Sequence, residues 1–285
     1  MSQVGWSILS CSESSQMDTK KIAFIGGGAM GEAMLSAVLN KGLSTPEAVW
    51  VSDIKEERRQ HLKQKCGVTV TEDNREATDK SDIIVLAIKP QNLAEVMPEL
   101  SGHLKSTQLI LSIIAGARIN TLCQGLNHRY VVRVMPNTPV QIGEGISVWT
   151  ATTEVTKPQK EWTSAILGAM GKEIYVDDEK YLDMATAVSG SGPAYFFLFV
   201  ESLIESAVKI GLSPDVAEEL VLQTMLGSSQ LLKKSGKSPA ELRRMVTSPG
   251  GTTAAAMLQF EKGSFSNLVQ QAVTAAYNRA KELGR

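Results

Sequence analysis

The first residues whose spacing implies chemistry are Gly26, Gly27, Gly28, Ala29, Met30 and Gly31, a GxGxxG turn between the apolar run Ile22-Ala-Phe-Ile25 and the helix-forming stretch from Glu32 to Leu39. Between a strand and a helix, each glycine has a task. The first permits the tight turn, the second lets the backbone approach a pyrophosphate, and the third lets the helix pack closely on the strand. Amides at the helix start then face the phosphates. The expected chemistry is dinucleotide binding. The next apolar run ends at Ser52-Asp53. An acidic side chain there bonds a ribose 2′-hydroxyl and repels a 2′-phosphate, which points to NAD. Ser52, Lys55, Arg58 and Arg59 lie close by and could hold that phosphate, which points to NADP. Both readings stay open on sequence alone.

Ligands of an open α/β sheet gather beyond the carboxyl ends of its strands. Three such ends offer polar or cationic groups: Ile88-Lys89-Pro90, Ala115-Gly116, and Asn137-Thr138 between two prolines. Further along, Ser189-Gly190-Ser191-Gly192 and Thr247 to Thr253 each open a helical pattern, placing hydroxyls and amides where an anion such as a carboxylate could sit. His61, His103 and His128 are the only histidines, all in polar stretches expected to be exposed. They give no evident general base and no metal cluster, and no GxSxG or phosphate-loop pattern occurs. Such a chain suits a reaction that needs little beyond hydride delivery to an electrophilic carbon.

The elements that must hold these groups alternate from residue 20 to 178. Apolar runs at 22–25, 48–52, 68–70, 83–88, 109–114, 130–135, 146–150 and 173–176 alternate with helical patterns. This predicts a Rossmann-type, doubly wound, mostly parallel sheet with right-handed crossovers. From 179 to 285 the strand signal stops. Helical spacing covers 194–210, 214–234, 239–246, 253–260 and 265–283, with Ser213 and Ser238 as N-caps ahead of proline. The first of these helices carries Phe196, Phe197, Phe199, Val200 and Leu203 and wants cover on most sides, as the core of a dimer would give.

Composition narrows the classes. The net charge of −1 from 29 basic and 30 acidic residues gives no global attraction to nucleic acid or anionic lipid. Cys11, Cys66 and Cys123 are odd in number and lack metal or redox spacing, which fits a reducing compartment. No apolar run reaches the ~20 residues of a membrane span. Residues 1–19, rich in serine, lack a secretory pattern and read as a flexible extension. A soluble cytoplasmic protein is expected, with a small-molecule substrate and neither nucleic acid nor membrane as partner.

Taken in order and spacing, IGGGAMGEA, LAIKPQ, MPNTPV, AVSGSGPAY and VTSPGGTTAAAM resemble the pyrroline-5-carboxylate reductases from about Lys21 to Leu283. The last two motifs are specific to that family; the first is shared with Rossmann enzymes in general. The resemblance implies NAD(P)H-dependent reduction of the cyclic imine 1-pyrroline-5-carboxylate to L-proline, the last step of proline biosynthesis. It also implies a Rossmann domain followed by a helical dimerisation domain, with dimers assembled into a decamer. It places the pyrophosphate turn on Ile25 to Met30 and Gly31, adenosine-side contacts on Ser52, Asp53 and Asn74, and nicotinamide-side contacts on Ile88, Lys89, Pro90 and Ala115. Substrate contacts fall on Glu179, Ser189, Gly190, Ser191, Gly192, Thr252 and Thr253, with Thr253 as the catalytic contact to the ring nitrogen and no metal. Two departures accompany it: Met245 stands where some members carry a cofactor-contacting Asn, and Asp53 where relatives have a small polar residue.

Two other readings are available. A β-hydroxyacid dehydrogenase shares the layout, but that class resembles a pattern with Lys a turn after its glycine pair, and here Pro193-Ala-Tyr-Phe-Phe follows Gly192. A nucleotide-sensing module without catalysis would leave turnover indifferent to Thr253.

Overall fold

The computed structural model describes residues 19–284 and the strand Trp6–Ser7. Strands β1 (Trp6–Ser7), β2 (Ile22–Ile25), β3 (Val49–Ser52), β4 (Thr69–Thr71), β5 (Ile83–Leu86), β6 (Leu109–Ser112), β7 (Val131–Met135), β8 (Gly145–Ala151) and β9 (Gly171–Val176) form one sheet in the order β1-β9-β8-β7-β6-β5-β2-β3-β4. From β4 to β7 this is the Rossmann order, with the chain reversing direction across the sheet between β2 and β5. Side chains alternate across the sheet. Ile22 and Phe24 enter one core while Ala23 and Ile25 enter the other, so both faces need helices. Helices α1 (Ala29–Asn40) and α2 (Glu56–Cys66) supply Met34, Leu35, Val38 and Leu62 to the first core. Helices α3 (Asn74–Asp79), α4 (Leu93–Leu100) and α5 (Ile119–Leu126) supply Ala77, Leu93, Val96, Leu100, Leu122 and Leu126 to the second. Each fully buried Leu or Ile contributes ~1.5–3 kcal/mol.

The sheet is mostly parallel, with one antiparallel pair in its interior. β8 runs antiparallel to β7, because the link between them is a short 3₁₀ turn at Thr138–Ile142, and parallel neighbours need a crossover of a dozen or more residues. Such a crossover, α6 (Lys157–Gly168), does lie between β8 and β9, and these two are parallel. Of the N-terminal extension, β1 pairs antiparallel with β9 at Val176 and Tyr175. That short pairing departs from the flexible segment expected for residues 1–19; the remainder of the extension, Cys11 included, lies outside the described residues.

The helical half consists of α7 (Lys180–Ala185), α8 (Gly192–Lys209), α9 (Pro214–Ser235), α10 (Pro239–Met245), α11 (Thr252–Lys262) and α12 (Phe265–Leu283). Ser238 caps α10 in a reciprocal capping box with Glu241, whereas the Ser213 side chain makes no cap bond to α9. Compactness divides the chain after Ser191, and residues from Ala276 onward return to the sheet unit. The change from strand to helix after residue 178 is therefore not the point at which the packing changes. α7 is helical in pattern, but its Leu182 is fully buried and packs with Val148 and Val176 of the sheet. At the C-terminus, the Leu283 carbonyl oxygen lies 2.8 Å from where a Cβ on Gly116 would stand, which is why that position is glycine with a φ of +77°.

The unit formed by residues 192–275 is built differently. Ala217 is its one buried apolar residue among those described, while Phe196, Phe197 and Leu198 are 59–65% exposed. Its internal packing includes the ring cluster of Phe199, Phe260 and Phe265, with centroids 5.3–6.4 Å apart. The run Lys180–Lys209 is long and apolar enough to cross a membrane by length and composition alone, but its first part packs Leu182 against the sheet and holds Asp183 in an ion-pair network.

Candidate active site

Strands β3, β2, β5 and β6 are parallel and in register at their carboxyl ends, with Ile25 beside both Ser52 and Leu86, and Leu86 beside Ser112. The segments starting at Gly26, Asp53, Ala87 and Ile113 therefore leave one edge of the sheet together. Ala87 donates its N–H to the Ile25 carbonyl at 2.8 Å, and Ile113 donates to the Leu86 carbonyl at 3.1 Å. This edge contains the point where the strand order reverses, and the segments Ile25–Gly31, Ile88–Pro90 and Ala115 lie along it.

Within that edge the turn is shaped for a ligand. Gly26 has a φ of +100°, and a Cβ there would lie 2.7 Å from the Ala87 carbonyl oxygen. A Cβ at Gly28, by contrast, would meet nothing within 4 Å. Gly28 is also the N-cap of α1 without a side-chain cap, so the first-turn amides have no intrahelical acceptor. An open, uncapped helix start beside a glycine turn fits the pyrophosphate of a dinucleotide.

At the adenosine end, Asp53 Oδ2 accepts the Gly27 N–H at 2.8 Å and Oδ1 accepts the Lys55 N–H at 2.8 Å. The Ser52 hydroxyl donates to Asn74 Oδ1, and Asn74 Nδ2 donates to Glu99 at 2.7 Å. Arg58 Nε donates to the Gly27 carbonyl at 2.8 Å, and its Nη2 pairs with Glu32. Burial of Glu32 opposes its ionisation, but hydrogen bonds from Lys65, His61 and Arg58 outweigh that and bring its carboxyl down to about 2. None of these contacts was legible in the sequence reading, although the basic run itself was noted.

The second cluster lies around α7. Glu179 Oε1 accepts from Arg133 Nη1 at 2.6 Å and from the Ile119 N–H at 2.9 Å. Asp183 accepts from Arg118 at 2.7 Å and lies 3.4 Å from Arg133. Arg133 and Asp183 are both buried. The sequence reading missed Arg118, Arg133 and Asp183; a buried arginine inside the apolar run of β7 was the available signal, since a charge is rarely buried unpaired. Beyond α7 the expected loop is a π-helical turn, Thr186–Gly190, with the Ser191 N–H donating to the Thr186 carbonyl at 2.8 Å. Single π turns concentrate at functional sites. The Ser189 hydroxyl donates to the Ala185 carbonyl at 2.9 Å, so its proton is engaged within the helix. A Cβ on Gly190 would lie 2.6 Å from Met135 Cε, which brings this turn against the end of β7. Asn137, in the turn after β7, accepts the Ile146 N–H at 2.9 Å and so holds the start of β8.

Glu179 and Ser189–Ser191 belong to the sheet unit, while Gly192, Thr252 and Thr253 belong to the helical unit. Thr252 and Thr253 open α11, after Gly250 with a φ of +70°. Among the described residues no cluster of His, Cys, Asp or Glu could hold a metal. The expectation of exposed histidines fails at His128, which is buried with Nε2 2.8 Å from the Gln108 carbonyl oxygen. Burial pushes its imidazole below its ordinary pKa, against the pull of that carbonyl.

A Rossmann sheet with an open glycine turn at its switch point defines a dinucleotide-binding class of protein. Residues 21–116 match the family model described as NADP oxidoreductase coenzyme F420-dependent, and residues 179–283 match that of pyrroline-5-carboxylate reductase dimerisation. A pyrroline-5-carboxylate reductase of Pseudomonas aeruginosa is 42% identical over 94% of this chain and 98% of its own length. One from Arabidopsis thaliana is 37% identical over 93% and 96%. Solved pyrroline-5-carboxylate reductases from Coxiella burnetii and, with NADP bound, from Plasmodium falciparum superpose with TM-scores of 0.84 and 0.86 at 37% and 34% identity, each over 94% of this chain and 100% of the other. The chain belongs to the pyrroline-5-carboxylate reductase family.

Proposed function

We propose that this chain reduces 1-pyrroline-5-carboxylate to L-proline with NADH or NADPH. The observation that carries the reading is family membership extending over both halves of the chain, so that the dinucleotide turn and the Ser189–Gly192 turn occur in one protein. When bound, the reduced nicotinamide supplies a hydride.

The chain's own groups bind and orient. Gly26–Gly31 and the first-turn amides of α1 hold the pyrophosphate, with Ile25 ending the strand beneath. Ser52, Asp53 and Asn74 take the adenosine side, and Ile88, Lys89, Pro90 and Ala115 take the nicotinamide side. The Ser191 hydroxyl and the amides at Gly190 and Gly192 hold the substrate carboxylate. Ser189 acts through its backbone, because its hydroxyl proton is spent on Ala185. Thr252 and Thr253 are assigned to the substrate as well, with the Thr253 hydroxyl accepting from the ring N–H. Glu179 enters as the carboxylate that fixes α7 through Arg133. A protonated imine is already electrophilic at carbon, so orientation is the main protein contribution.

The dimerisation match and the open helical layer support a homodimer, which we extend to a decamer of five dimers acting in the cytoplasm; sedimentation and cell fractionation test those two assignments. The activity is tested by following cofactor absorbance with and without pyrroline-5-carboxylate and identifying L-proline chromatographically. Oxidation that depends on the imine is expected. Absence of turnover with both cofactors overturns the reading.

A further inference from the structure

We propose that Asp53 makes this chain discriminate in favour of NADH over NADPH, an inference that rests on the reductase reading above. The carboxylate stands one residue beyond β3, where a Rossmann fold holds the adenosine ribose. It is not a mobile surface group. Gly27 N–H on Oδ2 and Lys55 N–H on Oδ1, both at 2.8 Å, fix it against the glycine turn. A ribose 2′-hydroxyl can donate to a carboxylate so placed, whereas a 2′-phosphate brings a charge of the same sign to a fixed, half-buried anion.

The neighbouring cations offset this only in part, because the protein itself engages much of their bonding capacity. Arg58 is held by the Gly27 carbonyl and by Glu32. Arg59 Nη1 donates to the Asp53 carbonyl at 2.8 Å and to the Ile54 carbonyl at 3.2 Å, and its Nη2 lies 3.4 Å from Glu72. The Ser52 hydroxyl, the other group suited to a 2′-phosphate, donates to Asn74. Lys55 remains as an exposed cation, whose single charge would face a doubly charged phosphate and the Asp53 carboxylate together. A 2′-phosphate would therefore meet the fixed Asp53 carboxylate beside cations partly committed to the protein, whereas a ribose 2′-hydroxyl would meet an acceptor.

The test uses the full chain. Dissociation constants of NADH and NADPH are measured without substrate by nicotinamide fluorescence, and kcat/KM is then measured with each cofactor and pyrroline-5-carboxylate. NADH is expected to lead by about 10-fold or more in both measurements, a factor of ten being ~1.4 kcal/mol. Asp53→Asn keeps an amide oxygen to accept the Gly27 N–H and removes the charge, so the ratio should fall to near one; Asp53→Ser should favour NADPH. Equal or tighter NADPH binding by the native chain overturns the proposal, as does an unchanged ratio in Asp53→Asn. Binding that prefers NADH without any imine-dependent turnover supports this inference while overturning the reductase reading, so the two failures are distinct.

Discussion

The sheet unit and the helical unit solve the burial problem in opposite ways. Residues of β2, β5 and β6 are buried almost without exception, and alternate positions fill two cores covered by five or more helices of the same chain. Residues 192–275 bury Ala217 and leave phenylalanines or leucines exposed on α8, α9, α11 and α12. Helices owe most of their stability to a packed apolar face. The first unit is thus complete in one copy, and the second is completed by another copy, in keeping with the dimerisation family it matches. The difference also divides the proposed chemistry: the residues assigned to the cofactor lie on the self-sufficient unit, while Thr252 and Thr253 lie on the one with open apolar faces.

The largest effect should come from charging the open face. Phe197→Asp is expected to abolish association, giving monomers by sedimentation and a melting temperature that no longer rises with protein concentration. Dimers persisting in that variant would break the contrast between the units. Within the sheet unit, Arg133→Met leaves the buried Asp183 and the Glu179 carboxylate short of a cation, and should cost about 3–5 kcal/mol. Denaturant unfolding reads this, and the cost should not depend on protein concentration. Gly28→Ala should lower the melting temperature only slightly, because a Cβ there meets nothing within 4 Å, yet weaken dinucleotide binding by roughly 10-fold or more; unaltered titrations would remove Gly28 from the phosphate site. Thr253→Ala should lower kcat by roughly 10–100-fold while sparing cofactor affinity. An inert change would favour a nucleotide sensor.

Glu32 gives the smallest signal. Its carboxyl lies near 2 in the folded chain against 4.5 ordinarily. The stability it lends is therefore present above about 4.5 and is lost as the pH falls towards 2. Glu32→Gln should be less stable than the native chain at neutral pH, and the gap between their melting temperatures should close across that window. A gap independent of pH would show that the Arg58, His61 and Lys65 contacts do not act through charge.

The strands and helices were legible because their signals are local. Apolar runs, Pro at the first position of α9 and α10, and the Gly26–Gly31 turn each depend on a few neighbouring residues, and α9 to α12 begin within one residue of where the spacing put them. Asp53 could be read as a ribose ligand and the basic run beside it as a phosphate ligand, because composition says what a side chain can do and not what it already touches. Tertiary structure alone decided that Asp53 meets Gly27, 26 positions away, and that Arg58 meets a carbonyl 31 positions away. It also buried His128, turned β8 against β7, and gave Glu179 to Arg133. These depend on long-range contacts whose partners are fixed only when the sheet closes its register, so the sequence determined the elements and the class of ligand, and the fold determined which charges remain for it.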